Sequence, residues 1–126
     1  MIAALILIAL AATAEAIMDI LQFHFETSAF WNLNKHYWNP QWSWMNKYKD
    51  LTPSKGPAFF GSTSFLVAIT DAWHLLKMFR TLFLFIGIGL IGYSSESWWS
   101  FILWLVLGRV IFGLVFTVMF NKVFAK

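Results

Sequence analysis

The chain has 126 residues, 60% of them hydrophobic and only 12% charged, with a mean hydropathy of +0.66. A soluble domain carries about a quarter charged residues, so the polar surface here is too small to cover a water-soluble globule, and bilayer must do part of the solvating. The absence of Cys excludes disulfides, thiolate metal sites and a Cys nucleophile, and the net charge of +3 rests on scattered lysines with no basic helix, which excludes a nucleic-acid footprint.

One compact unit is expected, with no room for a second domain. Eight Trp, three Tyr and fourteen Phe supply the aromatic belts of a membrane interface. Residues 2–23 are nearly all apolar until Glu15 and Asp19, and about 20 such residues cross a bilayer. The run from Ile2 followed by Ala12-Thr13-Ala14 imitates a signal peptide with its small-residue cleavage site, but it lacks a basic n-region and reads as a retained first helix. Residues 24–60 are broken by Asn32, Asn34, Asn39, Pro40, Pro53, Gly56 and Pro57, with Trp31, Tyr37, Trp38, Trp42, Trp44 and Tyr48 between them. That aromatic density argues for an ordered interfacial flap with short helical turns, serving as an anchor or as a substrate lid.

Gly61-Ser62-Thr63-Ser64 can cap a helix start, and residues 61–93 read as one tilted helix rather than a bent pair. Tyr93-Ser94-Ser95-Glu96-Ser97 is a short polar turn, and a last span covers residues 98–120 with Arg109 near mid-depth. The fold expectation is therefore an all-α, three-span transmembrane bundle with a long aromatic-rich loop on the cytoplasmic side, its spans over residues 2–23, 71–93 and 98–120. Lys35, Lys47, Lys49 and Lys55 in the loop and Lys122 and Lys126 at the C-terminus, against none in the 93–97 turn, lead us to expect a multi-pass protein of the cell (inner) membrane with its N-terminus outside and its C-terminus in the cytoplasm. Gly87, Gly89, Gly92, Gly108 and Gly113 read as close-packing points between helices.

The functional signal is Asp71-Ala72-Trp73-His74-Leu75-Leu76-Lys77-Met78-Phe79-Arg80, whose ionisable groups recur every three residues and form one stripe on an apolar rod. With the predicted topology, Glu15, Asp19 and Asp71 share an inner-leaflet layer with Lys77, Arg80, Arg109 and His74. Such a layer reads in two ways: as ion pairs that orient helices, or as a polar pocket with catalytic acid–base groups. In the second reading Asp71, His74, Glu15 and Asp19 are catalytic, while Lys77, Arg80, Arg109 and Trp73 bind an anionic or amphipathic substrate such as a lipid head group. Asp71 and His74 at i, i+3 also have the spacing of helical metal ligands, with Asp19 and His24 as further donors to a divalent ion. Without metal, His74 is a general base oriented by Asp71. No Gly-rich phosphate loop and no Gly-x-Ser-x-Gly elbow is present.

The series Met18-Asp19-Ile20-Leu21-Gln22-Phe23-His24, Trp38-Asn39-Pro40, Ser43-Trp44, Asn46-Lys47-Tyr48-Lys49, Phe60-Gly61-Ser62-Thr63 and Thr70-Asp71-Ala72-Trp73-His74-Leu75 resembles a group of short integral membrane proteins of bacterial and phage genomes. The likeness covers residues 15–80 and implies membrane location without an activity. The acidic motif of the small trimeric diacylglycerol kinases is absent. Three functions stay open: a small membrane enzyme, a non-catalytic accessory subunit whose ion pairs fix helix packing, alone or as a homo-oligomer, and an ion pathway. The last is weakened by the lack of ionisable groups in the outer half of every span.

Overall fold

The computed structural model describes residues 1–125; Lys126, counted above for orientation, lies outside the described residues. Three long helices dominate: α1 (Ile2–Phe23), α4 (Ala72–Ser94) and α5 (Trp98–Val118), the last continuing as a π-helical turn over Met119–Phe124. All three are long and apolar enough to cross a membrane. The short helices α2 (Lys35–Trp38) and α3 (Pro40–Ser43) and several 3-10 turns make up the connection between α1 and α4. Among the described residues no β-strand forms, only two isolated bridges, Ser28 with Ala125 and Tyr48 with Pro57.

Helix α1 is the centre of the bundle. Half of its most apolar stretch is buried, against 11% for α4 and 6% for α5, so the two later helices pack on α1 and present most of their surface outward. The cause is visible in its composition. Ala4, Ala11, Ala12, Ala14 and Ala16 are all buried, and such small side chains let neighbouring backbones come close. The small residues that imitate a cleavage site are thus packing surface. Helix α4 answers with Gly87, where an added Cβ would lie 3.2 Å from the Ala4 carbonyl oxygen and 3.3 Å from Ile8 Cγ1. Helix α5 answers with Gly108, over which Ile8 Cδ1 sits. The expectation of close packing does not hold at Gly89, where nothing lies within 4 Å of an added Cβ. Ala4, Ile8 and Ile91 form the core near the 93–97 turn, and Leu21, Phe25 and Ala72 form the core at the opposite, loop-bearing end.

The segment before α4 corrects the expectation of one helix over residues 61–93. Residues 61–71 form turns and a 3-10 turn (Val67–Ile69), and the helix begins at Ala72. Gly61 has φ +80, and Phe65 folds back so that its ring lies 2.8 Å from where a Cβ would stand, so the Gly61-Ser62-Thr63-Ser64 run makes a tight reversal, not a cap. The cap is Asp71, whose extended backbone (φ −160, ψ 163) and side chain receiving the His74 N–H define the helix start.

The connection is ordered by side-chain caps and carbonyl bridges. Asn34 and Asn39 cap α2 and α3 through the N–H groups of His36 and Gln41, and Pro40 occupies the first turn of α3, where its missing N–H costs nothing. Ser62 donates to the Lys47 carbonyl at 2.8 Å. Asn46 donates to the carbonyls of His36 at 2.6 Å and Thr70 at 3.0 Å, which ties the middle of the connection to the residue before the α4 cap. Phe30 stacks on Trp38, and Phe30, Tyr37 and Trp38 pack against the Leu21–Phe25–Ala72 core.

Candidate functional site

The start of α4 carries the site. Asp71 is 1% exposed. Its Oδ1 accepts the His74 backbone N–H at 2.9 Å, and its Oδ2 lies 2.7 Å from His74 Nδ1. The Thr70 hydroxyl is 3.1 Å from the same Oδ2 and 2.8 Å from the Val67 carbonyl; with one proton it donates to one of the two. One carboxylate therefore both starts the helix and orients the imidazole, because a cap accepting from the third residue along brings that residue's side chain within its reach. A proton on Nδ1 facing Asp71 leaves Nε2 as the basic nitrogen.

His74 stands where two hollows meet. On the side of the connection, a cleft of about 310 Å³ is lined by Gln22, Pro40, Gln41, Ser43, Trp44, Asp71, Trp73 and His74. Along α4, a groove of about 310 Å³ is lined by Phe65, Val67, Ala68, His74, Lys77, Met78, Thr81 and Leu82. The first holds the polar groups and the second is apolar apart from His74, Lys77 and Thr81. Lys77 Nζ rests over the Trp73 ring at 5.2 Å, which places a cation at the boundary of the two. A hollow of about 390 Å³ lies at the far end beneath the turn and has Glu96 as its single ionisable lining residue.

The expected single layer of charges is divided into separate groups. Glu15 and Arg80 form a direct ion pair at 2.6 Å, with side chains 26% and 28% exposed. Six residues of helix, roughly 9 Å at 1.5 Å per residue, separate Arg80 from His74. The antiparallel packing of α1 and α4 sets this register: Ala72 meets Leu21 and Gly87 meets Ala4, so Glu15 falls opposite Arg80 and not opposite Asp71. Asp19, one turn along from Glu15, is half-buried and lies within electrostatic reach of Glu15 and Arg80. Arg109 is exposed on α5, and its Nη1 lies 3.2 Å from where a Gly113 Cβ would stand, so the guanidinium bends toward the loop-bearing end over a residue that leaves it room. Arg109 makes no ion pair among the described residues.

The metal expectation is corrected on geometry. Among the described residues no three His, Asp or Glu side chains group together as metal ligands. Asp71 and His74 are engaged with each other through Nδ1. His24 lies past the end of α1, exposed and edge-on to the Phe120 ring at 5.7 Å.

One residue of the cleft had no sequence signal. Ser28, Ser43 and Ser62 are all fully buried. Ser28 and Ser62 donate to carbonyls at 2.8 Å, whereas Ser43 Oγ has no hydrogen-bond partner. A serine between two tryptophans reads as interfacial loop, and only the folding of α3 against the start of α4 buries it.

The arrangement defines the chain as an all-helical protein with three helices fit to cross a membrane and a carboxylate–imidazole pair at the loop-bearing end. Comparison with protein-family models, with curated proteins and with solved structures finds no match.

Proposed function

We propose that the protein is a small integral membrane enzyme in which Asp71 orients His74 as a general base acting on an amphipathic, lipid-like substrate. The observation that supports this reading is the position of His74: it is held at Nδ1 by a buried carboxylate while bordering both a tryptophan-walled cleft that gathers Gln22, Gln41 and Ser43 and a groove lined mainly by apolar side chains. A substrate with a polar head and a hydrocarbon chain fits that division, with the head beside Gln22, Gln41 and His74 and the chain along Phe65, Val67, Met78 and Leu82. Lys77, at the boundary, pairs with an anionic group of the head, and Trp73 and Trp44 wall the cleft. Arg80 and Glu15 neutralise each other below it, so of Lys77 and Arg80, both expected to bind substrate, Lys77 keeps that role in this proposal. In this proposal the loop and the C-terminus face the cytoplasm of a bacterial inner membrane, since Lys35, Lys47, Lys49, Lys55 and Lys122 lie at that end. The resemblance to short bacterial and phage membrane proteins agrees with that location.

The test is turnover of a radiolabelled total lipid extract by the full-length protein in nanodiscs. Wild type converts a component, and His74→Ala lowers the rate at least about 100-fold, the low end of a general base's contribution. Equal conversion by both proteins, or none by wild type, removes the reading. The Glu15–Arg80 pair favours a second reading, a non-catalytic accessory subunit whose ion pair fixes packing; it predicts a stoichiometric membrane partner in mild-detergent purification and no turnover.

A further inference from the structure

Resting on the acid–base reading above, we infer that Ser43 is the nucleophile of an acyl-transfer site, and that the substrate class is a carboxylic ester of a long acyl chain. Three observations converge. Asp71 meets His74 at Nδ1, which leaves Nε2 to take a proton. Ser43 borders the same cleft as both. Its hydroxyl is buried and makes no hydrogen bond, to His74 Nε2 or to any other group, a state that the other two fully buried serines avoid, so the reaction requires the Ser43 side chain to turn to the imidazole as substrate enters the cleft. A nucleophilic hydroxyl, a base and a third group that orients the base are the parts this chemistry needs, and they are recognised by role and not by order in the chain. Here they come from α3 and from the first turn of α4, joined through the Asn46 bridge to the Thr70 carbonyl. Gln22 and Gln41 bring side-chain amide donors to the same cleft, suited to an oxyanion. The groove beyond His74 takes the acyl chain.

The steps balance without a cofactor. Ser43 Oγ bonds to the ester carbonyl carbon as its proton passes to His74 Nε2. The bond from that carbon to the leaving alcohol oxygen breaks, and the Nε2 proton goes to the departing oxygen. Water, or a second alcohol, then attacks the acyl-serine, gives its proton to Nε2, and Ser43 leaves with that proton restored.

The experiment treats the full-length protein in nanodiscs with a long-chain alkyl fluorophosphonate and maps the adduct by peptide mass. The expected result is one adduct, on Ser43, absent in Ser43→Ala and formed at least about 100-fold more slowly in His74→Ala. Because the chain has no Cys, Ser43→Cys supplies a single thiol whose iodoacetamide alkylation reports the same base, and adding His74→Ala should slow it at least about 10-fold if His74 deprotonates the group at this position. That second variant keeps a small polarisable side chain in the packed site and guards against a folding failure of the alanine variant. No adduct on wild type, an adduct elsewhere, or a thiol rate indifferent to His74 overturns the inference. Hydrolysis of long-chain p-nitrophenyl esters separates the two levels. Turnover that survives Ser43→Ala but not His74→Ala removes the serine and keeps the acid–base reading, and turnover that survives both removes the two together.

Discussion

Asp71 holds two jobs at once, and the jobs can be measured apart. Its Oδ1 caps α4 through the His74 N–H, and its Oδ2 holds the His74 ring. Asn is as good a cap as Asp, so Asp71→Asn should keep the first job and lose the second. The lost charge-assisted bond costs about 1.5–3 kcal/mol. Asp71→Ala loses both, adding about 1 kcal/mol for the cap. In a His74→Ala background the ring is gone but the backbone N–H remains. There, Asp71→Asn should cost little, because Asn keeps the cap and no ring remains to be held, while Asp71→Ala should still cost about 1 kcal/mol. The coupling between Asp71 and His74 in the double-mutant cycle is then about 1.5–3 kcal/mol. The assay is equilibrium unfolding in mixed micelles, with amide exchange at His74 and Leu75 reporting the first helical turn. If Asn and Ala variants are equally stable in the His74→Ala background, Asp71 is not a cap. If the cycle shows no coupling, the carboxylate does not hold the imidazole.

Other outcomes follow from the packing and the ion pair. Glu15→Gln leaves Arg80 facing a neutral partner and should destabilise by about 1.5–3 kcal/mol, while Glu15→Leu with Arg80→Leu together should be milder than either leucine change alone, as read by the same unfolding titration. Gly87→Val should destabilise by about 1–3 kcal/mol because its side chain meets the Ala4 carbonyl and Ile8, whereas Gly89→Val, facing open space, should stay within about 0.5 kcal/mol; similar melts for the two would refute the close crossing of α1 and α4. Asn46→Ala strips two carbonyls of their donor and should cost about 1–3 kcal/mol, with faster amide exchange across residues 34–47 and little change in the long helices.

The three apolar runs and the all-helical character are legible in the sequence, because membrane hydropathy is a local property that needs no partner. The start of α4 was partly so. Asp71 has the residue type and place of a cap, but Gly61-Ser62-Thr63-Ser64 offers equally good chemistry ten residues earlier, and only Phe65 folding over Gly61 decides between them. Which acid meets which cation depends on helix register. Register depends on where glycines meet alanines, so Glu15 pairing with Arg80 is a consequence of Gly87 lying on Ala4 and not of any feature of the charges themselves. Ser43 was invisible because burial of one hydroxyl is decided wholly by tertiary contact.

A bundle whose first rod is its keel must be assembled in order. The alanine-lined helix precedes the other two in the chain, and each of them has it as its main packing partner among the long helices. Cutting the chain after Ala14 would therefore take Ala4, Ile8, Ala11, Ala12 and Ala14 from beneath both later spans and leave Glu15, the partner of Arg80, at the end of a shortened helix.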